Sequence, residues 1–403
     1  MSFPQFRRVF FARAISSAGS YMQIVAATWY VYSLTGSATA VGVLSALALG
    51  PAIVGSPIGG ALMDRYDPRR LAIVLSVCQA VPAALLAILE VIGDLDVPTL
   101  YLLTFAGAIP FSLNQPVVTL IAPYTVPVEF RQTAVARTSM VYNITRLLGA
   151  VVGGFVVQAV GVGVAFAVNA LSYAAVAVVL SVTHLVSDVR RGGSKGSLNV
   201  LSGVRAGWGQ QFLRLVAVGV MVFFTLVAPV EQLMPTVAQE HGMTASAVGI
   251  LVGAIGVGAL LANPLVGPRN SSPFHRRRLM ATGLLLAAVG MVLLAVTPQH
   301  GMLIDVVGAV LIGFGWEFVF VGGQSTVAVE VSPDIRGRIM GLFFVLVTAT
   351  TALGALLVGF LITQWGLMPT FLTLAGVVTA AAVVLIVRNR LTPMIDRDPA
   401  VAS

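Results

Sequence analysis

The sequence predicts an all-α membrane protein: twelve transmembrane helices in two six-helix pseudo-repeats. Three observations predict it. First, 58% of the 403 residues are hydrophobic and only 9% are charged, whereas soluble domains carry about a quarter charged residues. Such a chain cannot cover a water-facing surface, which excludes a soluble enzyme and a disordered protein. Second, the apolar residues gather into twelve runs of about twenty residues, the length of one bilayer crossing. Third, the basic residues are sorted into alternate connections between those runs.

The first run, about 10–34, follows Arg7, Arg8 and Arg13. It is too long for the apolar part of a cleaved signal and reads as an uncleaved first helix. Runs follow at about 40–63, 71–92, 98–122, 137–158 and 163–185. Six more lie at 213–236, 246–268, 279–297, 302–329, 338–363 and 369–388. Barrel strands would show about ten residues of alternating polarity. These runs are continuous, so they are read as helices, whose backbones satisfy their own hydrogen bonds in lipid.

With twelve spans, 22 of the 23 Lys and Arg residues fall on one side. They cluster at the N-terminus, at Arg65/Arg69/Arg70, Arg131/Arg137, Arg190 to Arg214, Arg269 to Arg278, Arg336/Arg338 and the C-terminus. The connections around 35–39, 93–97, 159–162, 237–245, 298–301 and 364–368 hold none. The positive-inside rule then places both termini in the cytoplasm, and the localisation expected is a bacterial inner membrane. The net charge of +8 and pI near 10.2 are therefore a topological inventory and give no reason to expect a nucleic-acid partner. The single Cys78 can form no intramolecular disulfide.

The longest connection, 186–212, carries Arg190-Arg191-Gly192-Gly193-Ser194-Lys195 and reads as a flexible cytoplasmic linker. It separates an N-terminal half, 1–185, from a C-terminal half, 213–403. The halves echo each other. Leu148-Gly149-Ala150 and Gly154-Phe155 recur 205 residues later as Leu353-Gly354-Ala355 and Gly359-Phe360. Ala40-Val41-Gly42 recurs 207 residues later as Ala247-Val248-Gly249. An even number of spans between copies makes the repeats parallel, the arrangement that puts a substrate site between the halves.

At the second basic connection stands Gly59-Gly60-Ala61-Leu62-Met63-Asp64-Arg65, followed by Arg69-Arg70. This resembles the loop signature of the major facilitator superfamily between helices two and three. Asp67 and Pro68 replace its usual Gly and basic residue. Asn143-Ile144-Thr145-Arg146-Leu147-Leu148-Gly149-Ala150 with Gly153-Gly154, and Tyr32-Ser33-Leu34-Thr35-Gly36 at the first turn, resemble the proton-linked exporter branch that includes the enterobactin exporter and macrolide efflux proteins. Ala150 stands where that branch usually has Pro, and Ser20 where many members have an acid. The resemblance implies alternating access and export. It also implies a gating loop of Gly60, Asp64, Arg65, Arg69 and Arg70, with Asp64 set against the start of helix eleven near Gly337-Arg338 to hold the outward-facing state.

Charged groups within a bilayer cost several kcal/mol and are functional candidates by default. Glu317 falls mid-span in helix ten. Glu231 follows Pro229 in helix seven. Arg146 lies nine residues beyond Arg137, about 13 Å along a helix. A carboxylate competing for Arg146 would load and release a proton as access alternates, because desolvation and a nearby cation push its proton affinity in opposite directions. The other reading of each is structural: a wetted helix end for Glu231, a polar pair for Glu317, a tie to backbone carbonyls for Arg146. Gln115 and Asn143 are candidate substrate contacts; with Asn114, Asn169 and Gln324 they equally suit interhelical hydrogen bonding. Gly149, Gly153 and Gly154 form a small-residue face for close packing. Glu90, Asp305 and Glu330 read as interfacial, and Trp29, Tyr30 and Tyr32 as an aromatic belt.

No cluster suits a metal, no Walker-type loop suits ATP, and no cofactor is expected. The reading is a monomeric secondary active transporter, not an enzyme. It would export a small amphipathic organic molecule, such as a drug, siderophore or metabolite, in exchange for protons. The alternative is a proton-linked or facilitative uptake carrier of the same fold.

Overall fold

The computed structural model describes residues 3–63, 65–183, 211–266, 273–297, 301–331 and 333–391. Helices α1 (Pro4–Thr35), α2 (Ala38–Leu49), α3 (Pro51–Met63), α4 (Pro68–Val91), α5 (Val97–Tyr124), α6 (Arg131–Val160) and α7 (Val162–Ser181) precede the long connection. After it come α8 (Gln211–Leu226), α9 (Met234–Glu240), α10 (Ala245–Ala262), α11 (Pro273–Val296), α12 (Met302–Glu330), α13 (Pro333–Trp365) and α14 (Leu367–Leu391). No strand occurs among the described residues. The apolar runs coincide with these helices and the short turns joining them, save their ends at 184–185 and 267–268, which lie outside the described residues. The expected linker, 186–212, lies almost wholly outside the described residues.

Among the described residues, length and apolarity qualify nine helical stretches to cross a membrane, α2 with α3 counting as one, and a tenth if the bent pair α8 and α9 forms one span. The exceptions are α1, whose charge-free stretch is diluted by polar and aromatic residues such as Ser16, Ser17, Ser20, Tyr21 and Gln23, and α6, whose apolar part is confined to Ile144–Val160. Bulky apolar side chains such as Leu171, Val178, Leu303 and Leu353 stand exposed on the bundle's outside. A patch of that extent suits lipid and not water.

Turn chemistry divides the two ends. Among the described residues six glycines adopt the left-handed backbone: Gly36, Gly93, Gly161, Gly242, Gly301 and Gly366. One falls in each of the six connections that lack Lys and Arg, and they pair at repeat spacing as Gly36/Gly242, Gly93/Gly301 and Gly161/Gly366. At Gly36 this conformation closes the α1 C-cap, its N–H donating to Tyr32 O. The opposite, basic end uses other devices. Asp67 caps α4 by accepting from the Arg70 N–H at 2.8 Å, with Pro68 at the first helical position. The two residues that depart from the loop signature are thus a helix start.

Helix packing repeats across the halves. α1 packs on α6 as α8 does on α13, α4 on α7 as α11 does on α14, and α3 on α5 as α10 does on α12. Between the halves, α2 meets α13 and α10 meets α6. Both crossings are glycine-to-backbone contacts. Gly42 abuts the Ala355 carbonyl and Gly359 that of Ala38. In the same register Gly249 abuts Ala150 and Gly154 abuts Ala245, where an added Cβ would lie 2.5 and 2.7 Å from the carbonyl oxygens. Thr39 Oγ1 hydrogen-bonds Thr363 Oγ1 at 2.9 Å alongside. These contacts close the glycine-turn end. Towards the other end of the same helices, no atom stands within 4 Å of a Cβ added at Gly60 of α3 or at Gly337 and Gly341 of α13.

Candidate functional site

Between the halves lies a cluster of ionisable groups. α8 ends at Leu226, and Pro229 sits in a short 3-10 turn, Ala228–Glu231, before α9 resumes at an angle of 52°. Proline lacks the N–H that a continuing helix needs, and the break presents Glu231 at the interface. Its carboxylate forms an ion pair with Arg146 of α6, both groups largely buried. The Arg146 guanidinium also lies 5.0 Å from the Trp316 ring of α12 and 5.8 Å from the Tyr21 ring of α1, cation–π geometry that suits a poorly hydrated cation. Trp316 is held edge-on by Phe224 of α8 at 5.1 Å.

Glu317, the next residue on α12, is half-buried. Asn263, just after α10, donates to it from Nδ2 at 2.8 Å, and it feels the charge of Arg146. The cluster therefore contains one cation and two carboxylates, one engaged with the cation and one held by a neutral amide. Such an arrangement can exchange a proton for an ion-pair partner without creating a bare charge in a low-dielectric region.

The structure does not bring every expected site residue here. Gln115 of α5 lines a cavity within the first half. Asn143 lies on α6, but its side chain is outside the described portion. Asp64 is also outside the described residues. Arg65 and Arg70 are exposed, and Gly60 borders open space. Arg69 has a defined contact: its Nε donates to Leu180 O at 2.6 Å, with Ser181 O as a second acceptor. It thereby caps the C-terminus of α7, where a cation also suits the helix dipole. Gly149 and Gly153 bring α6 against Ala18 and Met22 of α1, while Gly154 serves the contact with α10.

Two span-end acids are paired within the bundle: Asp305 is fully buried at 3.0 Å from Nδ1 of His241, itself 3% exposed, and Glu330 pairs with Arg276. Each span-end acid meets a basic group from a neighbouring helix, so burial costs less than solvation would suggest. Tyr32 is buried as well, not facing headgroups, and the Tyr30 hydroxyl donates to Leu95 O at 2.9 Å. Sequence reasoning also missed Asn263, Trp316 and Tyr21. Trp316 beside Glu317 was the available signal; nothing in the sequence pairs Asn263 with a residue 54 positions away.

The chain matches the family model described as transmembrane secretion effector over residues 1–402. It is 22% identical to macrolide efflux protein A of Streptococcus pyogenes, covering 94% of this chain and 95% of that protein. It is 23% identical to the multidrug efflux pump Tap of Mycolicibacterium fortuitum, covering 95% of each. Its fold matches that of the nucleoside transporter NupG with a TM-score of 0.80 at 12% identity, covering 95% and 98% of the two chains. The peptide-transporter-family protein PepTSo gives 0.72 at 15%, covering 98% and 99%. The likeness of fold and the whole-length family match agree: the chain is a multi-pass membrane transporter of the major facilitator superfamily and belongs to its transmembrane secretion effector family.

Proposed function

We propose that the chain exports small amphipathic organic molecules by alternating access, in exchange for protons, with both termini in the cytoplasm. In this reading it works as a monomer of twelve spans, α1 and α6 completing the set, divided into halves 1–185 and 213–403 by the 186–212 linker. The observation that carries the reading is the Arg146–Glu231 ion pair across the halves, with Glu317 within its field. A proton arriving at Glu231 would release Arg146 towards Glu317, so protonation and the contact between the halves are linked. The efflux-pump relatives support the direction.

In this reading, the glycine contacts at the turn end would seal the outer side, as in a state that loads substrate from the cytoplasm. The gating loop, with Asp64 against the start of α13, would secure the opposite state.

The test is efflux of a panel of dyes, antibiotics and siderophores from vesicles under an imposed pH gradient. Wild type is compared with Glu231→Gln and Glu317→Gln. Gradient-dependent efflux by wild type and its loss in at least one variant is the expected result. Gradient-independent flux in all three proteins refutes proton coupling, and gradient-driven accumulation in place of efflux refutes the direction.

A further inference from the structure

The two carboxylates of the central cluster differ in where their partners come from. Glu231 is held by Arg146, which belongs to the other half. Glu317 is held by Asn263, which belongs to its own half and donates from Nδ2 at 2.8 Å. The helices that carry this second pair are locked together. Gly258 of α10 abuts the carbonyl of Val310, and Gly313 of α12 abuts that of Ile255. Backbones packed this closely resist sliding, since a close-packed contact has no slack to give. A rocking of one half against the other therefore alters the Glu231 contact and leaves the Glu317 contact in place.

The local chain sets the amide against α12. Asn263 ends α10 and opens a short 3-10 turn, Asn263–Val266, whose second residue is Pro264. Proline has no N–H with which to continue the helix. The repeat shows that packing does not require the amide–acid pair. Ser56 and Ser112 stand 207 and 205 residues before Asn263 and Glu317, the two repeat spacings, and Pro57 stands 207 before Pro264. There the contact is a single long hydrogen bond, Ser56 Oγ donating to Ser112 O at 3.5 Å. Two small neutral side chains thus suffice at the crossing of α3 and α5. The equivalent crossing of α10 and α12 carries a carboxylate, which a bilayer penalises and which marks function.

We infer that Asn263 is a positioning residue for transport: its amide holds the Glu317 carboxylate in place as the second berth for Arg146 when Glu231 takes a proton. The inference rests on the proton-coupled reading above and gives its two acids different parts. A hydrogen bond donated to a carboxylate favours the charged form, and bonds to charged groups are the stronger kind. Arg146 is the cation whose field Glu317 feels. Other charges on the helices packed against α12 lie by sequence near the basic end: Arg214 of α8, the run 275–278 of α11, and Asp334, Arg336 and Arg338 of α13. On α12 itself Asp305 and Glu330 sit at opposite ends, each paired with a base. Without the amide, Glu317 would depend on Arg146 alone for its charge and would compete with Glu231 for the proton.

The experiment titrates Glu317 in the full chain in lipid nanodiscs, through the infrared C=O stretch of the protonated carboxyl. Each spectrum is taken as a difference from the same background carrying Glu317→Gln, which isolates this group. Asn263→Leu is expected to raise the titration midpoint by about one pH unit, a tenfold change in proton affinity, because the charged form loses its donor. Asn263→Gln keeps an amide and is expected to stay closer to wild type than to Asn263→Leu. Asn263→Ala serves should Asn263→Leu fail to fold, and is expected to move the midpoint in the same sense. A midpoint unmoved by loss of the amide overturns the inference, even where the melting temperature falls, and so does an equal shift in Asn263→Gln. In vesicles, gradient-independent efflux by wild type alongside the shifted midpoint refutes the coupling alone. Gradient-driven efflux with an unmoved midpoint refutes the part given to Asn263 alone.

Discussion

Arg146 on α6 and Glu231 in the break between α8 and α9 form an ion pair across the two halves of the transporter, 85 residues apart in sequence. Both groups are largely buried, and the aromatic rings of Trp316 and Tyr21 lie 5.0 and 5.8 Å from the guanidinium. Removing one partner of such a pair strands the other charge, whereas replacing both with neutral groups leaves none to strand. Arg146→Gln alone is therefore expected to lower thermal stability more than the double variant Arg146→Gln/Glu231→Gln. Both should lose gradient-driven efflux by tenfold or more. Melting temperature and vesicle efflux measured on the same preparations check this; equal stability in the two variants contradicts it.

The four glycine contacts that close one end predict a conformational effect. Gly249→Leu would drive a side chain into the Ala150 carbonyl, and Gly42→Leu into that of Ala355. Each should hold the glycine-turn end open. A cysteine placed at Ser246 or Thr39 should then react faster with a membrane-impermeant thiol reagent, in a Cys78→Ser background, while transport falls. Gly376→Leu, where nothing stands within 4 Å, is the control and should leave labelling unchanged.

The His241–Asp305 pair gives an ordered stability prediction. His241→Ala leaves a fully buried carboxylate whose second oxygen already lacks a partner. Asp305→Asn leaves a neutral amide that can still hydrogen-bond the His241 ring. The first is expected to cost about 3 kcal/mol, at the low end for breaking a buried pair, and the second clearly less. Thermal unfolding in detergent measures both, and the reverse order refutes the account.

A local pH effect is expected at the start of α5. The Thr99 hydroxyl, then its backbone N–H at 2.9 Å, hold the Asp96 carboxyl below the ordinary carboxylate value. A depressed folded-state value means that the cap is fully present above the ordinary value near 3.8 and is lost as pH falls through the lower folded one. The protection factor of the Thr99 amide, followed by hydrogen exchange, should drop across that window. Asp96→Asn should retain the cap and flatten the dependence.

Several features were legible without coordinates because lipid and repetition act along the chain. The apolar runs, the one-sided arginines and the recurrence of Gly149, Gly154 and Gly42 at Gly354, Gly359 and Gly249 are linear patterns. Arg146, Glu231 and Glu317 could be singled out because an isolated charge in an apolar run is conspicuous. Asp305 could not: a span-end acid looks the same whether it meets headgroups or His241. Gln115 and Arg146 were both candidates for the transport site, yet Gln115 lines a cavity within the first half while Arg146 pairs with Glu231.

Hydropathy, sidedness and the two-fold repeat follow from the linear order of residues, because a bilayer imposes its cost segment by segment and each helix satisfies its own backbone. Partnership does not follow from that order. Which carboxylate meets Arg146, which amide holds Glu317, and which acid meets His241 all depend on how helices are rotated and set side by side. Packing of the glycine faces and the break at Pro229 decide that geometry, and only the assembled bundle contains it.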